Sequence, residues 1–468
     1  MYRVTAKDHG GRTLLEALRA QGAPVDAPCG GNGTCGKCRV WTEGKEVLAC
    51  CTVVDRDMDV TLSAHESVVL RDTAKVQADG GCDYALAYDI GTTTVVCYLI
   101  DGKTGAVLHG VGCENPQRAF GADVISRIQY VLQTHPSELK VLMEQTMADL
   151  AAQVAQSREI GMVSVVGNTA MHHLLLGLDP KPLTVPPYMP ASTEAVEKEK
   201  LRILPNIAGF VGGDTVGCML AAGFDEREEL TLLIDIGTNG EMVLGDKHAR
   251  LACSTAAGPA FEGAKIACGM RGAEGAVDHV WIEEAKLRCS VIGGGTAKGL
   301  CGSGLLDLVA CLLDLGIISE TGRMDCETYH IEGTEVYLTQ KDVREVQLAK
   351  AAIRAGIELM CRHRGVEPEE IREVLLAGAF GNYLTPASAC KIGMLPPCLG
   401  EKIRPIGNAA GMGAVMCAVH KDAFERAKSL AKETAFLELA SKEDFQDLFV
   451  DCLNFEEDET DTEICDLS

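Results

Sequence analysis

Short apolar runs of strand length, each ending in a turn, recur in two stretches of this chain, residues 84–113 and 230–254. Apolar runs of about four to eight residues bounded by turn residues predict buried strands. Both stretches repeat the order strand, glycine turn, strand, turn, strand, which indicates a duplicated unit. The predicted strands are residues 84–88, 95–100 and 106–113 in the first stretch and 230–234, 241–244 and 249–254 in the second.

Each unit is completed further along the chain by an apolar strand that leads into a second glycine turn. In the first unit the strand is residues 162–166, and Gly167-Asn168-Thr169 opens a helix through residue 176. In the second unit the strand is residues 374–377 and the turn is Gly378-Ala379-Phe380-Gly381. This order predicts a mixed α/β fold with two lobes and a cleft between them. Further helices are predicted at residues 122–133, 137–156, 215–222, 305–315 and 386–391, with an insertion at 258–346.

One phrase stands at the first turn of both units: Asp89-Ile90-Gly91-Thr92-Thr93-Thr94 and Asp235-Ile236-Gly237-Thr238-Asn239-Gly240. A glycine directly after the aspartate lets the backbone approach a ligand, so that amide N–H groups can face an anion. The neighbouring hydroxyl groups add donors, and the aspartate can hold a hydrated magnesium ion. Two copies at equivalent turns predict a duplicated site that holds the phosphates of a nucleotide.

Three thiols lie in a glycine-rich stretch near the start of the chain, at Cys29, Cys35 and Cys38, and a fourth follows at Cys50. Four thiolates on such a loop suit an iron–sulfur cluster, because glycines keep side chains away and leave N–H groups for the sulfurs. The first spacing is one residue longer than in the plant-type [2Fe–2S] pattern. A zinc site and uncoordinated cysteines are the alternatives, and Cys51 competes with Cys50 as the fourth ligand.

Net charge and cysteine content limit which binding partners and which cellular compartment are expected. The formal net charge of -24 argues against nucleic acid or an anionic membrane as a partner. The first residues lack an apolar leader, and no apolar run reaches the roughly 20 residues that span a bilayer. The 21 cysteines are therefore expected in a reducing cytoplasm, with those outside the N-terminal cluster serving as small buried hydrophobes. From Ser441 onward, 11 acidic residues stand against one lysine, which predicts a solvated, partly disordered tail.

The duplicated turns resemble those of the actin-like ATPase superfamily, which includes acetate and sugar kinases and heat-shock chaperones. The two Asp-Ile-Gly-Thr turns resemble its phosphate motifs, and Leu375-Leu376-Ala377-Gly378-Ala379-Phe380-Gly381 resembles its adenosine motif. The resemblance implies Mg²⁺ at Asp89 and Asp235. It implies contacts with ATP from Gly91, Thr92, Thr93, Thr94, Gly237, Thr238, Asn239, Gly240, Gly378, Ala379 and Gly381.

Asp214 is the candidate for orienting the attacking water. It follows Gly212-Gly213 and precedes a predicted helix, where sugar kinases that resemble this arrangement carry their general base. Asp214, Asp89 and Asp235 together form the expected catalytic set. The alternative is that Asp214 merely caps its helix.

The N-terminal stretch resembles the β-grasp of [2Fe–2S] ferredoxins, with a helix expected at residues 13–21 and strands at Val4 and 39–41. A cluster in front of an actin-like ATPase resembles the reductive activators of corrinoid proteins over nearly the whole chain. The resemblance implies a ferredoxin-like domain at 1–63, a linker at 64–83, ATPase lobes at 84–228 and 229–425, and a C-terminal helix and acidic tail at 426–468. The phrases that carry it are residues 115–128, 167–171, 257–264, 347–354 and 407–411.

The resemblance also implies a repair reaction. Corrinoid methyltransferases work through Co(I), which occasionally oxidises to inactive Co(II). The expected function is ATP-dependent reduction of a corrinoid protein from Co(II) to Co(I), with electrons passing through the [2Fe–2S] cluster. The implied partners are a corrinoid protein, of the methyltransferase or the corrinoid iron–sulfur type, and a low-potential electron donor. A homodimer is among the expected assembly states.

Two functions of other classes stay open at this stage. One is a small-molecule kinase with an attached redox sensor, which would need a sugar or carboxylate pocket that the sequence does not display. The other is a nucleotide-gated binding scaffold or chaperone whose cluster is structural, and its ATP turnover would be indifferent to cluster reduction. Activators of 2-hydroxyacyl-CoA dehydratases also join a cluster to this fold, but they bridge one cluster across a dimer with few cysteines.

Overall fold

The computed structural model describes residues 2–21, 23, 25, 38–62, 68–70, 75–134, 137–381, 383–439 and 442–455. The chain divides into two compact units, residues 1–221 with 410–432 and residues 222–409 with 433–468. Strands and helices alternate along both, so the predicted mixed α/β class is confirmed. Within the described residues, none of the helices combines the length and the apolar character that crossing a membrane requires.

The described strands are β1 (Tyr2–Val4), β2 (Arg39–Thr42), β3 (Lys45–Leu48), β4 (Met58–Leu62), β5 (Val68–Leu70), β6 (Tyr84–Ile90), β7 (Thr94–Asp101), β8 (Val107–Glu114), β9 (Ile160–Gly167), β10 (Val196–Lys198), β11 (Leu201–Ile203), β12 (Thr231–Ile236), β13 (Gly240–Gly245), β14 (Arg250–Thr255), β15 (Ala276–Glu283), β16 (Lys286–Val291), β17 (Gly299–Leu300), β18 (Thr328–His330), β19 (Tyr337–Thr339), β20 (Glu373–Ala377), β21 (Ile403–Pro405) and β22 (Thr434–Phe436). The described helices are α1 (Ala6–His9), α2 (Leu14–Ala20), α3 (Val124–Gln133), α4 (Ser137–Ala155), α5 (Thr169–Leu176), α6 (Gly213–Ala221), α7 (Gly302–Asp314), α8 (Gln340–Arg364), α9 (Gly378–Gly381), α10 (Pro386–Lys391), α11 (Ala409–Val419), α12 (Lys421–Glu433) and α13 (Glu443–Asp451).

A small sheet in the order β1-β4-β2-β3 forms the N-terminal part of the first unit. Helix α2 packs on it because its leucines at positions 14, 15 and 18 are buried. The helix begins at Leu14, one residue after the predicted start, because Thr13 is its N-cap and forms with Glu16 a capping box that satisfies two N–H groups. This sheet with α2 packed on it agrees with the predicted ferredoxin-like module.

A seven-stranded sheet in the order β10-β11-β9-β6-β7-β8-β5 forms the rest of the first unit. Strands β6 and β7 form the predicted hairpin, and β9 runs parallel to β6. The predicted linker, residues 64–83, contains β5, which pairs antiparallel with β8 at the sheet edge. Three consecutive apolar residues, Val68 to Leu70, have the strand preference needed to cover an open edge.

A six-stranded sheet in the order β21-β20-β12-β13-β14-β22 organises the second unit. The hairpin of β12 and β13 repeats the hairpin of β6 and β7, and β20 runs parallel to β12 as β9 does to β6. The duplicated order predicted from the apolar runs is therefore confirmed. The predicted insertion contains the three-stranded sheet β16-β15-β17, the hairpin β18-β19 and helix α7.

The C-terminal segment differs from the solvated tail that its charge predicts. Helix α13 packs along α8, and the following Phe455 is only 3% exposed. The ammonium group of the buried Lys350 lies 5.4 Å from the Phe455 ring centroid. The acidic positions before residue 456 are interspersed with Phe445, Leu448 and Phe449, which give the helix an apolar face. The run Glu456-Glu457-Asp458-Glu459 lies outside the described residues.

Burial of the scattered cysteines follows the prediction only in part. Cys97, Cys218, Cys253, Cys301, Cys311, Cys361 and Cys417 are buried, whereas Cys82, Cys113, Cys268 and Cys390 are half-buried. Burial raises the pKa of the Cys97 and Cys361 thiols to about 12, so both stay protonated and chemically quiet at neutral pH.

Candidate functional site

The first phosphate turn connects β6 to β7 and is tight. The N–H of Gly91 donates to the carbonyl of Thr94 at 2.9 Å. A Cβ atom at position 91 would lie 2.9 Å from that same oxygen, so the turn requires a glycine there. Asp89 is the next-to-last residue of β6 and pairs with Val96 across the hairpin. The predicted residues Gly91, Thr92 and Thr93 thus form the turn itself, and Thr94 begins the second strand.

The second glycine turn of the first unit lies beside this phosphate turn. Strands β6 and β9 end together, with Ile90 opposite Gly167. Asn168 caps α5 by accepting from the N–H of Met171 at 3.0 Å, and its Nδ2 donates to the Thr92 hydroxyl at 2.8 Å. Asn168 therefore fixes the Thr92 side chain, a role that the sequence did not assign to it.

The two glycines that precede Asp214 bring the start of its helix close to Asn168. A Cβ atom at Gly212 would lie 2.4 Å from the Cα of Asn168, so only a glycine allows this approach. Helix α6 begins at Gly213, two residues before the predicted start, so Asp214 is its second residue, and the Asp214 Oδ1 accepts from the N–H of Thr215 at 2.8 Å. The carboxylate therefore lies within the first helical turn, where the helix dipole stabilises negative charge. Asp214 is therefore a residue of the first turn of α6 and not its N-cap.

A buried histidine supports the start of α6. His172 is 2% exposed, and a Cβ atom at Gly213 would lie 2.7 Å from its Cε1. Gly213 also donates its N–H to Oδ1 of the buried Asn206 at 3.1 Å. Burial lowers the pKa of His172 to about 4, so the imidazole is neutral at physiological pH.

The pKa of His172 predicts an acid-sensitive step in stability. Its folded-state pKa of about 4 lies below the ordinary value of 6.5, so the unfolded chain takes up the proton first as the pH falls. Stability is therefore lost as the pH drops from about 6.5 toward 4, by about 2 kcal/mol between pH 7 and pH 5. Urea unfolding at both pH values should show this difference in the wild type and a clearly smaller one in His172→Gln, where the buried His173, whose pKa burial also lowers, still contributes.

The exposed His248 provides the matched control for that measurement. Its replacement by glutamine removes an exposed imidazole and should leave the contribution of His172 to the pH dependence in place. An unchanged pH dependence in His172→Gln would show that His172 does not titrate in this range.

The second phosphate turn repeats the arrangement of the first within the second unit. Strands β12 and β20 end together, with Asp235 opposite Ala377. Gly378 then turns with a φ of +84°, and a Cβ atom there would lie 2.7 Å from Oδ1 of Asp235. The predicted adenosine turn and the aspartate of the second phosphate turn are therefore in contact. Residues 378–381 form one helical turn, α9, rather than an open loop.

Glu262 completes this part of the site, although the sequence assigned it no role. The Thr238 hydroxyl donates to Glu262 Oε1 at 3.1 Å, and Glu262 lies within residues 257–264, one of the phrases that resemble the activators of corrinoid proteins. The neighbouring Phe261 stacks on Phe380 of α9 with ring centroids 5.3 Å apart and planes 7° apart. The phrase therefore links the second phosphate turn to the adenosine turn.

The remaining predicted positions of the second turn and of α9 have backbone roles. The Asn239 carbonyl accepts from the N–H of Gly237 at 2.9 Å. The Gly240 carbonyl accepts from the Thr255 hydroxyl at 3.2 Å. A Cβ atom at Gly381 would lie 3.0 Å from that of Leu376, so this glycine allows α9 to fold back on its strand. Ala379 contributes its backbone to the same helical turn.

Two of the four predicted cluster ligands converge in the ferredoxin-like module. Cys38 is 1% exposed, and its Sγ lies 3.2 Å from Sγ of Cys50. The N–H of Cys50 points at Sγ of Cys38 at 3.4 Å, as in N–H···S contacts around iron–sulfur clusters. Burial raises the pKa of the Cys38 thiol. Cys51 is exposed, and its Sγ lies 3.7 Å from that of Cys50, so the geometry favours Cys50 as ligand.

The other two predicted ligands, Cys29 and Cys35, lie outside the described residues. Among the part of the chain that is described, no group of three or more His, Cys, Asp or Glu side chains is arranged to hold a metal ion.

Three family descriptions match consecutive parts of the chain. "2Fe-2S iron-sulfur cluster binding domain" matches residues 2–55, "RACo middle region" matches residues 84–227, and "C-terminal domain of RACo the ASKHA domain" matches residues 229–464. The last of these alone covers half of the chain.

Similar proteins agree with these matches. The chain is 36% identical to the corrinoid activation enzyme RamQ of Eubacterium limosum, over 78% of this chain and 69% of that protein. It is 25% identical to a [Co(II) methylated amine-specific corrinoid protein] reductase of Methanosarcina barkeri, over 78% of this chain and 76% of that one. A solved structure of a reductive activator for a corrinoid iron–sulfur protein superposes with a TM-score of 0.72 and 29% identity, covering 97% of this chain and 98% of the other.

Proposed function

We propose that this chain, which belongs to the RACo family of corrinoid activators, couples ATP to the reduction of a corrinoid protein from Co(II) to Co(I). Electrons pass through a [2Fe–2S] cluster held in its N-terminal module. The observation that carries the proposal is the presence, in one chain, of converging cysteine sulfurs and two glycine turns built like phosphate sites.

The cysteine geometry fits the cluster. Sγ atoms 3.2 Å apart in the buried Cys38 and half-buried Cys50 present two ligands to one small volume. Cys29 and Cys35 would supply the other two ligands. When bound, the cluster accepts one electron and donates it at low potential, near −400 mV in plant-type centres.

The low potential of the cluster alone does not make electron transfer to Co(II) favourable, and ATP can supply the missing free energy. A one-electron transfer that is uphill by about 0.2 V costs on the order of 5 kcal/mol. A nucleotide shifts a conformational equilibrium only by its difference in affinity for the two states. ATP therefore promotes reduction if it favours the state of the complex in which the cobalt is easier to reduce, and its hydrolysis then releases the partner.

The nucleotide residues have distinct expected roles. Thr92, Thr93 and Thr238 offer hydroxyl groups, and the glycines of both turns and of α9 allow the close approach of phosphates and adenosine. Asp89 and Asp235 would hold Mg²⁺ through its water ligands. Asp214 would orient the attacking water, because its carboxylate is fixed at the first turn of α6.

The decisive experiment mixes the reduced protein, MgATP and a Co(II) corrinoid protein, and follows the absorbance of Co(I). We expect Co(I) only when ATP and a reduced cluster are both present. The partners to try are corrinoid proteins of the methyltransferase and the corrinoid iron–sulfur types. Co(I) formed equally well without ATP, or no Co(I) with any of these partners, would contradict the proposal.

A further inference from the structure

Two buried side chains bind the carbonyl groups of the first phosphate turn. Asn115 is 1% exposed and Arg127 is fully buried. Asn115 Nδ2 donates to the Gly91 carbonyl at 2.7 Å, and its backbone N–H donates to the Thr93 carbonyl at 2.9 Å. The Arg127 guanidinium donates to the Thr92 carbonyl at 2.5 Å. Three consecutive carbonyl groups of the turn are thus held by two residues.

Holding these carbonyl groups fixes the direction of the amides that follow them. In a trans peptide, the C=O of one residue and the N–H of the next point in opposite directions. The N–H of Thr92 is therefore directed away from Asn115, and the N–H of Thr93 is directed away from Arg127. Asn115 and Arg127 hold the carbonyl ends of these peptide groups toward the protein interior. The N–H groups of Thr92 and Thr93 therefore lie on the half-exposed side of the turn.

Both side chains are themselves anchored, so they can hold the turn firmly. Arg127 Nε donates to the Gly121 carbonyl at 3.0 Å, and Asn115 Oδ1 accepts from the N–H of Gln117 at 3.0 Å. Both also contact the sulfur of Met171, at 3.7 Å from Asn115 and 3.5 Å from Arg127. Met171 lies in α5, whose N-cap residue Asn168 binds the Thr92 hydroxyl.

Burying a guanidinium is costly, and its charge is felt strongly in a low-dielectric interior. At Arg127 that positive charge lies directly behind the turn that is expected to face phosphate groups. A neutral side chain could also satisfy a carbonyl, but only a cation adds attraction for an anion.

We propose that Asn115 and Arg127 are positioning residues for the phosphates of ATP, acting through the carbonyl groups of residues 91–93. The inference rests on the proposed function, because it assumes that this turn binds a nucleotide. It also gives a physical role to residues 115–128, which resemble the corrinoid-protein activators but for which the sequence alone predicts no function.

The test measures the affinity of the full-length protein for MgATP and for adenosine by calorimetry or competition. Arg127→Met should weaken MgATP binding about tenfold or more, because the turn is no longer held with its amides toward the ligand. Adenosine, which has no phosphates, should bind within about twofold of the wild-type affinity. Arg127→Lys should recover part of the loss, since its ammonium keeps the charge and one donor.

Arg250 is a matched control in the second unit. It is 4% exposed and donates to the carbonyl groups of Asp246 and Lys247, which belong to a turn with no predicted ligand role. Arg250→Met should therefore leave the ATP affinity unchanged, even if it lowers stability.

The other possible results contradict either the positioning role or the proposed function. Wild-type ATP affinity in Arg127→Met, or an equal loss for ATP and adenosine, would overturn the positioning role. If Arg127→Met does not fold, Asn115→Ala carries the same two comparisons. A wild-type protein that binds no ATP contradicts the proposed function itself, whereas normal ATP binding in the wild type and in both variants contradicts only this inference.

Discussion

A Cys38→Ala variant is expected to lose the visible absorbance of the iron–sulfur cluster and to form no Co(I), with or without ATP. Cys38 is buried and its sulfur lies 3.2 Å from that of Cys50, so its removal leaves the cluster one thiolate short at a position shielded from solvent. The variant should still bind MgATP with wild-type affinity, since the phosphate turns belong to other sheets. Absorbance of the purified protein and a Co(I) assay check both parts.

Two further cysteine variants make this result interpretable. Cys51→Ala removes an exposed thiol next to Cys50 and should retain the cluster. Cys97→Ala removes a buried thiol in β7 and controls for the loss of a buried sulfur. If Cys51→Ala loses the cluster while Cys50→Ala keeps it, the fourth ligand is Cys51 and the assignment made from the sulfur distances is wrong.

The order of strands along the chain and its duplication could be predicted from the sequence, because both depend on local patterns of apolar runs and turn residues. Buried strands read as unbroken apolar runs, and a glycine before a polar pair marks the turn that follows. Helix α10 begins and ends at the predicted residues, 386 and 391, since Pro386 suits the first helical position. Strand β5 was missed because three apolar residues in a polar stretch give no period to detect.

Residues that support the site were harder to predict than residues that line it. Asn115, Arg127 and Asn168 act through hydrogen bonds to a turn between 24 and 76 positions away in the chain. No spacing rule links such partners, because the sheet brings them together: β9 runs parallel to β6 and ends beside Asn168, and β8 pairs with β7 so that Glu114, next to Asn115, lies opposite Thr94. A polar residue next to a predicted glycine turn, such as Asn168, was one available signal. An arginine within an amphipathic helix, such as Arg127 in α3, was a second, since a charge that becomes buried there needs partners.

The equivalence of the two units was predictable, but their difference was not. Both place a second glycine turn at the end of a parallel strand beside the phosphate turn. In the first unit that neighbour is Asn168, which binds a hydroxyl group, and in the second it is Gly378, which lies against a carboxylate. The same backbone order therefore supports two different chemical surroundings, which depend on side chains that the repeat does not share.

Asp235→Asn is expected to remove ATP-dependent Co(I) formation while sparing the cluster. Asparagine has nearly the same shape, so the contact with Gly378 is retained, and that glycine leaves room for either side chain. It lacks the negative charge that would hold Mg²⁺ and its water ligands beside the phosphates. The ATP-stimulated rate should fall by about a hundredfold or more, since the metal carries much of the stabilisation of transferring phosphates. Raising the Mg²⁺ concentration should recover part of the rate.

Asp246→Asn is the control for charge and fold in the same unit. Asp246 accepts from the N–H groups of His248 and Ala249 in a turn with no expected ligand, and asparagine can accept both bonds. This variant should show the wild-type ATP effect and the wild-type absorbance. If Asp235→Asn also retains the full ATP effect, Mg²⁺ is not held by Asp235. If the variant loses the cluster as well, the loss of Co(I) does not report on the nucleotide. Only loss of the ATP effect with an intact cluster places Asp235 in the coupling of ATP to electron transfer.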